Sequence, residues 1–393
     1  MKHQVGIDSI GFYTSHYCLD LKTLAQARNV EPDKYQIGLG QQCMSVSPPG
    51  EDIVTLAANA AREALAHTDP NSIDTILFAT ESGIDQSKAA GIFVHQLLKL
   101  PNQCRIVELK QACYSATAGL QMGMAMLKAS PNKKILLIAS DIARYGLNTS
   151  GESSQGGGAI AMVLASEPRI LAIEPESGFY TEDAMDFWRP NYREEALVEG
   201  KYSVDLYLKL LKETWHQYTE RSGRSFKDVD YFCYHIPVPK LAEKAHHKLC
   251  VVNNLGKPSP QQVREQMGES LRYGRITGNC YTASLYLGLL SLLEQTPADL
   301  SGKRIGLYSY GSGCVAEFFS GTVQAHYKDV LNAKLHESLL NQRIQLNQAD
   351  YEAFYTFVYP SDGSRLLLPK YQTGSYRLAE INQHKRIYEV VTP

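Results

Sequence analysis

Cys113 is the side chain with the clearest chemical potential in this sequence. It lies in ELKQACYSATAGLQ, residues 108–121, where a strand-like run gives way to a helix of small residues. The positive end of a helix dipole favours a thiolate, so this position predicts a cysteine of lowered pKa that attacks a carbonyl carbon. Taken alone, such a cysteine is more often a packing residue. Its interpretation therefore depends on the groups that the fold brings to it.

Three further polar side chains stand at the ends of apolar segments. Glu81 and His235 each close a strand-like run, and Asn279 stands where a long apolar helix opens. A carboxylate suits proton transfer, and an imidazole suits hydrogen bonding to an oxyanion. Each also has an ordinary structural explanation: an ion pair, a buried histidine bonded to backbone, and a helix cap.

Composition excludes several classes of function. The chain has 393 residues, of which 44% are hydrophobic, and 39 Lys and Arg nearly balance 41 Asp and Glu. Balanced charge without a basic run argues against nucleic-acid and membrane-surface binding, so we expect small molecules or other proteins as partners. The N-terminus reads as a strand rather than a signal peptide, and the run TASLYLGLLSLL is too short to span a bilayer. We expect a cytoplasmic protein.

The eight cysteines are scattered along the chain, and none forms a CxxC pair or a His/Cys cluster at zinc spacing. That pattern fits a reducing compartment and predicts neither a disulfide framework nor a metal site.

Apolar β-rich runs alternate with helical patterns along the whole chain, which predicts an α/β fold with buried strands. The predicted strands are 75–82, 104–110, 133–141, 156–165, 231–237, 303–313 and 314–323. The predicted helices are 86–100, one from near Cys113, 240–249, and one from Asn279.

The order of elements in the first half recurs in the second. In this comparison Glu81 corresponds to His235, and Cys113 corresponds to Asn279. We therefore predict two halves: residues 1–170, with Cys113 and Glu81, and residues 171–393, with His235, Asn279 and Ser312. A duplicated fold would place the two buried helices back to back, so that these side chains converge on one pocket.

Seven segments resemble hydroxymethylglutaryl-CoA synthase, a thiolase-like condensing enzyme. They are ATESGID, KQACYSATAG, ARYGLN, DFWRP, HIPVPK, GNCYTASLYLGLLSLLE and LYSYGSG, in the family's order over nearly the whole chain. The resemblance implies a homodimer with a duplicated αβαβα five-layer fold around two buried central helices. It also implies condensation of acetyl-CoA with acetoacetyl-CoA to HMG-CoA in the mevalonate pathway, with these two thioesters as substrates and no cofactor.

The same resemblance assigns roles to residues. It makes Cys113 the acylated nucleophile, Glu81 the general acid and base, and His235 the group that holds the acetoacetyl unit. Around the acyl-CoA and in support it places Asn279, Ser312, Ser154, Ser203, Lys240 and Tyr114, with Asp141 and Asp186 as supporting carboxylates. A thioester on Cys113 keeps the acetyl α-protons acidic, so that Glu81 can remove one.

Several of these residues also have simpler explanations. Ser312 fits turn chemistry, Asp141 and Asp186 fit structural roles, and the glycine run 156–158 fits close backbone packing. Lys240 shares one face of its predicted helix with Lys244 and Lys248, a stripe that suits either CoA phosphates or an acidic carrier protein.

Other functions stay open at this point. Initiating ketoacyl synthases share a Cys, His, Asn set but need no base, so Glu81 argues against them. A thiolase would need a second cysteine, for which Cys314 is a candidate. Ser153, Ser154, Gly83 and Cys314 depart from the mevalonate pattern, and some of these departures resemble polyketide β-branching enzymes that take acetyl from an acyl carrier protein. A non-catalytic binding protein on this fold is the remaining alternative.

Overall fold

A computed structural model describes residues 4–391, so the first three residues of the predicted N-terminal strand lie outside the described part. The strands are β1 (Val5–Tyr13), β2 (Tyr17–Asp20), β3 (Cys43–Ser45), β4 (Ile73–Ala79), β5 (Arg105–Leu109), β6 (Lys134–Ala143), β7 (Gly156–Ser166), β8 (Leu171–Thr181), β9 (Phe187–Trp188), β10 (Leu197–Val198), β11 (Tyr231–Tyr234), β12 (Arg304–Gly311), β13 (Val315–Val323), β14 (Ile344–Gln345), β15 (Leu366–Leu367), β16 (Tyr376–Asn382) and β17 (Lys385–Val390). The helices are α1 (Leu21–Ala27), α2 (Asp33–Gln36), α3 (Ile53–Ala64), α4 (Ala90–Leu97), α5 (Ser115–Ala129), α6 (Gly200–Ser222), α7 (Pro239–Val252), α8 (Pro260–Met267), α9 (Arg272–Thr277), α10 (Ser284–Gln295), α11 (Ala333–Asn341) and α12 (Gln348–Tyr355).

Nine strands form one continuous sheet in the order β11-β12-β13-β8-β1-β7-β6-β4-β5. The two halves join where β1 and β8 pair over only two residue pairs, Gly6 with Ala172 and Ile7 with Leu171. Outward from this seam, each half has two antiparallel pairings followed by a parallel one. In the first half these are β1 with β7, β7 with β6, and β6 with β4. In the second half they are β8 with β13, β13 with β12, and β12 with β11. Within residues 4–391, only the first half has a further edge strand, β5, which pairs with β4. The topology confirms the predicted duplication.

Five layers follow from the packing of apolar side chains. Helices α5 and α10 share one core with the inner faces of both half-sheets. Helices α3 and α4 cover the outer face of the first half, and α6 and α7 cover that of the second. Strands covered on both faces read as continuous apolar runs, which explains why β6 and β7 were recognisable from sequence. No helix within residues 4–391 is long and apolar enough to cross a membrane.

The start of the second central helix lies later than predicted. A short 3-10 turn covers Tyr281–Ala283, and α10 begins only at Ser284. The backbone N–H of Gln111 donates to the hydroxyl of Ser115, and that of Cys280 donates to the hydroxyl of Ser284.

The residue after each of these donors has a positive φ, 43° at Ala112 and 42° at Tyr281. The two loops therefore align with Thr282 as the counterpart of Cys113. The predicted correspondence of Cys113 with Asn279 is wrong by three residues.

A buried ionic cluster fastens α3, α10 and α11 together. His336, with no exposed surface, lies 2.9 Å from Glu294 and 2.8 Å from Glu63. Burial acts to lower the pKa of His336, but hydrogen bonds to the two carboxylates raise it to about 9. The imidazolium therefore holds elements from both halves at neutral pH.

Candidate active site

Cys113 and Glu81 are in direct contact. Glu81 follows the carboxyl end of β4, and Cys113 lies two residues before the first residue of α5. The Cys113 thiol donates a hydrogen bond to Glu81 Oε1 at 2.9 Å. The positive φ of Ala112 marks a strained turn immediately before Cys113, a backbone state that persists only where surrounding contacts enforce it.

The glycine turn of the second half supplies one such contact. A Cβ on Gly311 would lie 2.6 Å from both the Gln111 carbonyl oxygen and the Tyr114 nitrogen, so only glycine fits at this approach. The Gln111 side-chain amide donates to the Ser312 carbonyl at 3.2 Å. The turn that carries Ser312 is thereby held against the loop of Cys113.

The pKa of Cys113 moves opposite to the sequence prediction. A small part of the residue reaches solvent, but the thiol is crowded by protein atoms, and this desolvation together with the charge of Glu81 raises its pKa. The helix dipole does not outweigh those two effects. Desolvation and the charge of Asp141 likewise raise the pKa of Glu81, to about 8. In the resting site, the neutral thiol of Cys113 is therefore hydrogen-bonded to Glu81, whose pKa is unusually high for a carboxyl group.

Asp141 holds Glu81 in place and spans the two halves. Its fully buried carboxylate accepts the backbone N–H of Glu81 at 2.8 Å and that of Ser82 at 3.0 Å. It also accepts the hydroxyl of Thr80 at 2.8 Å and the backbone N–H of Thr282 at 3.0 Å. Asp141, in the first half, therefore caps the 3-10 turn that leads into α10 in the second half.

Asn279 is both a structural cap and a neighbour of the site. Its side-chain oxygen accepts the Tyr281 N–H at 2.9 Å and the Ser284 hydroxyl at 3.1 Å, whereas its amide nitrogen lies 3.5 Å from the Tyr145 hydroxyl. Ser154 accepts the Asn279 N–H through its carbonyl oxygen at 3.3 Å. The Ser154 hydroxyl instead donates to the Gly151 carbonyl.

Tyr145 and Tyr281 belong to the site, although no role was predicted for them. With Phe187 they form a triangle of edge-to-face rings whose centroids lie 5.8–6.1 Å apart. Burial raises the pKa of Tyr145, and the neighbouring Cys113 raises it further, so its hydroxyl keeps its proton. Both tyrosines lie in segments that carry the family resemblance, which is the signal that could have identified them. An aromatic residue in a loop usually indicates packing, so the sequence alone did not predict that they lie at the site.

His235 directly follows β11, which ends at Tyr234, three residues before the end of the predicted strand 231–237. The backbone N–H of His235 donates to the Tyr308 carbonyl at 2.8 Å, and its backbone carbonyl accepts the Tyr207 hydroxyl at 2.8 Å. Burial lowers the pKa of His235 to about 3. The ring is therefore a neutral imidazole at physiological pH, able to donate one hydrogen bond without carrying charge.

Asp186 organises the glycine turn. Its carboxylate accepts the Ser203 hydroxyl at 2.9 Å, the Tyr310 hydroxyl at 2.6 Å and the Gly313 N–H at 2.9 Å. The Ser203 hydroxyl is thus bonded to this carboxylate. Cys314 is buried and its N–H donates to the Glu182 carbonyl.

Lys240 and Tyr114 have partners outside the contact between Cys113 and Glu81. The Lys240 ammonium lies 2.7 Å from Glu243 on the next turn of α7 and is nearly half exposed. The Tyr114 hydroxyl donates to Glu317 at 2.7 Å, across to β13. Within residues 4–391, no group of three or more His, Cys, Asp or Glu side chains is arranged to hold a metal ion.

The chain has a duplicated five-layer α/β fold, and a cysteine at the start of one central helix is hydrogen-bonded to a carboxyl group. This combination defines the class of thiolase-like condensing enzymes. The family model described as "Hydroxymethylglutaryl-coenzyme A synthase N terminal" matches residues 1–169. The family model described as "Hydroxymethylglutaryl-coenzyme A synthase C terminal" matches residues 171–273 and 253–390. The chain belongs to the hydroxymethylglutaryl-CoA synthase family.

Individual relatives agree with that membership. The hydroxymethylglutaryl-CoA synthase of Enterococcus faecalis is 42% identical over 98% of this chain and 99% of its own. The polyketide 3-hydroxy-3-methylglutaryl-ACP synthase of Bacillus subtilis is 33% identical over 89% of this chain and 87% of its own. A solved HMG-CoA synthase complexed with CoA superimposes with a TM-score of 0.93 at 43% identity, covering 99% of this chain and 100% of that one.

Proposed function

We propose that this enzyme condenses acetyl-CoA with acetoacetyl-CoA and water to give HMG-CoA, through an acetyl thioester on Cys113. The observation that carries the proposal is the 2.9 Å contact between the Cys113 thiol and Glu81 in a member of this family. The chemistry calls for two CoA thioesters and no metal or further cofactor.

Acylation begins from a protonated thiol. Because the pKa of Cys113 is raised, the thiol loses its proton to Glu81 as the sulfur attacks the acetyl carbonyl. Glu81 then passes that proton to the departing CoA sulfur and returns to the carboxylate form. A pKa of about 8 places the carboxyl group close to neutral pH, where it can both accept and return a proton.

Condensation uses the same carboxylate. Glu81 removes a proton from the methyl group of acetyl-Cys113, and the backbone N–H of Cys113 stabilises the enolate oxygen. The enolate carbon attacks the ketone of acetoacetyl-CoA, while the neutral His235 donates a hydrogen bond to the oxygen that becomes the alcohol. Water then cleaves the thioester and frees Cys113. The protonated phenol of Tyr145 beside Asn279 adds a further donor at this pocket.

The donor is proposed to be free acetyl-CoA. The higher identity to the Enterococcus synthase than to the Bacillus acyl-carrier-protein enzyme favours it. The carrier protein is the alternative donor, because a related curacin-pathway HMG synthase, 31% identical, is solved in complex with a donor acyl carrier protein. Lys240 is already paired with Glu243, which weakens the basic stripe that a carrier would need.

The two donors can be compared directly. Acetyl-CoA and an acetylated carrier protein are offered at equal concentration, and the rate of Cys113 labelling is measured for each. We expect efficient labelling from acetyl-CoA. A carrier preference of about 100-fold or more, roughly 2.7 kcal/mol in the transition state, would overturn the mevalonate assignment in favour of β-branching.

A homodimer is part of the proposal. Among the described strands β5 pairs only with β4, and Val107 on it is 47% exposed. Beside it, the central helix α5 exposes Met122 (50%), one turn from the partly exposed Ala118. A second copy over this edge would cover both features and the outer side of the catalytic helix. Val107→Lys should shift the mass in solution towards the monomer, and Val358→Lys, at an 81% exposed position elsewhere, should not.

We propose that residues 1–170 and 171–393 form the two halves of the enzyme, supported by the β1 to β8 seam of only two residue pairs. We also propose that the enzyme works in the cytoplasm, where reduced thiols persist, since all eight cysteines are free.

A further inference from the structure

Tyr281 has a buried hydroxyl without a hydrogen-bond partner. The residue is 1% exposed, and its hydroxyl oxygen makes no hydrogen bond to any group within residues 4–391. The Tyr145 hydroxyl is near enough for each phenol to influence the pKa of the other, but no hydrogen bond of normal length and angle joins them. Most buried polar groups are hydrogen-bonded, because an unpaired one costs folding free energy. The Tyr281 hydroxyl therefore points to a partner that binds during the reaction.

Hydrogen bonds of the neighbouring residue place Tyr281 beside the contact between Cys113 and Glu81. The backbone N–H of Thr282 donates to Asp141 at 3.0 Å, and the same carboxylate accepts the backbone N–H of Glu81 at 2.8 Å. Burial raises the pKa of Tyr281 well above its usual value, and the charges of Glu81 and Cys113 act in the same direction. The phenol therefore keeps its proton at neutral pH and can act as a hydrogen-bond donor.

The backbone holds the Tyr281 ring in place at an energetic cost. Its φ of 42° lies in the left-handed region, which bulky residues rarely adopt. The equivalent position in the first half is Ala112, so the same turn forms there with only a methyl side chain. In the second half the turn is fixed by the Tyr281 N–H, which donates to the Asn279 side-chain oxygen at 2.9 Å. Because the turn itself does not require a tyrosine, the ring at this strained position indicates a role in the site.

We propose that the Tyr281 hydroxyl donates a hydrogen bond to the carbonyl oxygen of the acetyl group, which makes Tyr281 a catalytic residue. The inference rests on the reaction proposed above. When the Cys113 sulfur attacks, the carbonyl π electrons move onto this oxygen, and they return as the CoA sulfur leaves. The same oxygen gains charge again when the acetyl group becomes an enolate. The backbone N–H of Cys113 supplies one donor to it, and Tyr281 supplies a second.

The acetyl group reaches this hydroxyl when the aromatic cover of the site moves. The Phe187 ring packs against Tyr281 and Tyr145, with centroids 5.8 Å and 6.0 Å away. Phe187 belongs to β9, which pairs with β10 through two residue pairs, and neither strand pairs with any other described strand. Protein atoms also crowd the Cys113 thiol, so its acetylation requires the same opening.

Tyr281→Phe removes the hydroxyl and keeps the ring. Tyr286→Phe is the matched control, because Tyr286 is equally buried, on α10, and its hydroxyl lies 2.9 Å from that of Thr117. In urea unfolding we expect Tyr281→Phe to be at least as stable as the wild type, since it loses no hydrogen bond, and Tyr286→Phe to be less stable. A destabilisation of Tyr281→Phe equal to that of Tyr286→Phe would show that the hydroxyl is bonded within the protein, and would overturn the proposal.

The rate of Cys113 acetylation is the second readout. Each protein is mixed with acetyl-CoA alone and quenched at intervals, and the labelled peptide is measured by mass spectrometry. We expect acetylation to be slower by roughly 10²-fold in Tyr281→Phe, with unchanged affinity for free CoA, and to stay close to the wild-type rate in Tyr286→Phe. Acetylation of Tyr281→Phe at the wild-type rate would overturn the proposal. Slower condensation with a raised KM for acetoacetyl-CoA would then assign the hydroxyl to the other substrate.

A binding measurement separates this proposal from the proposed function. Cys113→Ala cannot be acylated, so its dissociation constants for acetyl-CoA and CoA are compared with and without the added Tyr281→Phe change. We expect loss of the hydroxyl to weaken acetyl-CoA binding several-fold and to leave CoA binding unchanged. A wild type that acetyl-CoA never acetylates would refute the proposed function, and the binding comparison would then decide the role of Tyr281. No loss of affinity, or an equal loss for both ligands, would overturn that role.

Discussion

Replacing Glu81 by Gln removes the proposed base while keeping the size of the side chain. The carboxyl group accepts the Cys113 thiol at 2.9 Å, and its charge is one cause of the raised pKa of that thiol. Two opposite effects should follow. The pKa of Cys113 should fall because the nearby negative charge is gone, yet condensation should fall by roughly 10²- to 10⁴-fold because no group removes the acetyl proton. That loss corresponds to about 2.7–5.4 kcal/mol in the transition state.

The assay measures both effects in one variant. Alkylation of Cys113 by iodoacetamide across pH reports its pKa, and HMG-CoA formation reports turnover. Glu81→Asp shortens the side chain by one methylene and should give an intermediate loss. Glu108→Gln is the matched control, since this half-buried carboxylate accepts the Ala90 N–H at 2.8 Å and does not contact the thiol. Condensation within about fivefold of wild type would show that Glu81 is not the base, and a higher alkylation midpoint for Glu81→Gln would show that its charge does not raise the pKa of Cys113.

Three other predictions concern the surroundings of the site. His336→Leu should cost about 3–5 kcal/mol in urea unfolding, because it leaves two buried carboxylates unpaired. Since its folded pKa of about 9 lies above the unfolded value, the wild-type contribution should be complete below pH 6.5 and vanish as pH rises through 9. Tyr351→Phe removes a hydroxyl that joins Glu152 to Gln155 behind the Tyr145 loop, and should lower the unfolding free energy by about 1–3 kcal/mol. Arg189→Gln removes a charge that lowers the pKa of Glu81, so the acidic limb of the pH–rate profile should move to higher pH.

The fold followed from sequence because its signals are local and repeated. Buried strands such as β6 and β7 are continuous apolar runs, and their recurrence in the second half predicted the duplication. The register between the halves was harder to predict. Because a 3-10 turn covers Tyr281–Ala283, the second central helix begins later than its apolar pattern suggests. The matching hydrogen bonds, from a backbone N–H to the first serine of each helix, are visible only in the structure.

The residues proposed for catalysis could be named from the sequence, but their electrostatics could not be predicted from it. The pair of Cys113 and Glu81 came from motifs, whereas the direction of the pKa of Cys113 depends on desolvation and on two carboxylates that arrive from other strands. Lys240 shows the converse case. Its partner Glu243 stands three residues later on the same predicted helix, so the ion pair could have been read from the sequence.

The acetyl thioester on Cys113 can be observed directly. The wild-type protein and Cys113→Ala are incubated with acetyl-CoA alone, quenched in acid, digested, and examined by mass spectrometry for acetylated peptides. We expect one acetyl group in the wild type, on the peptide that contains Cys113, and none in Cys113→Ala. An acetyl group on Cys314 or another residue, or labelling that survives in Cys113→Ala, would contradict it.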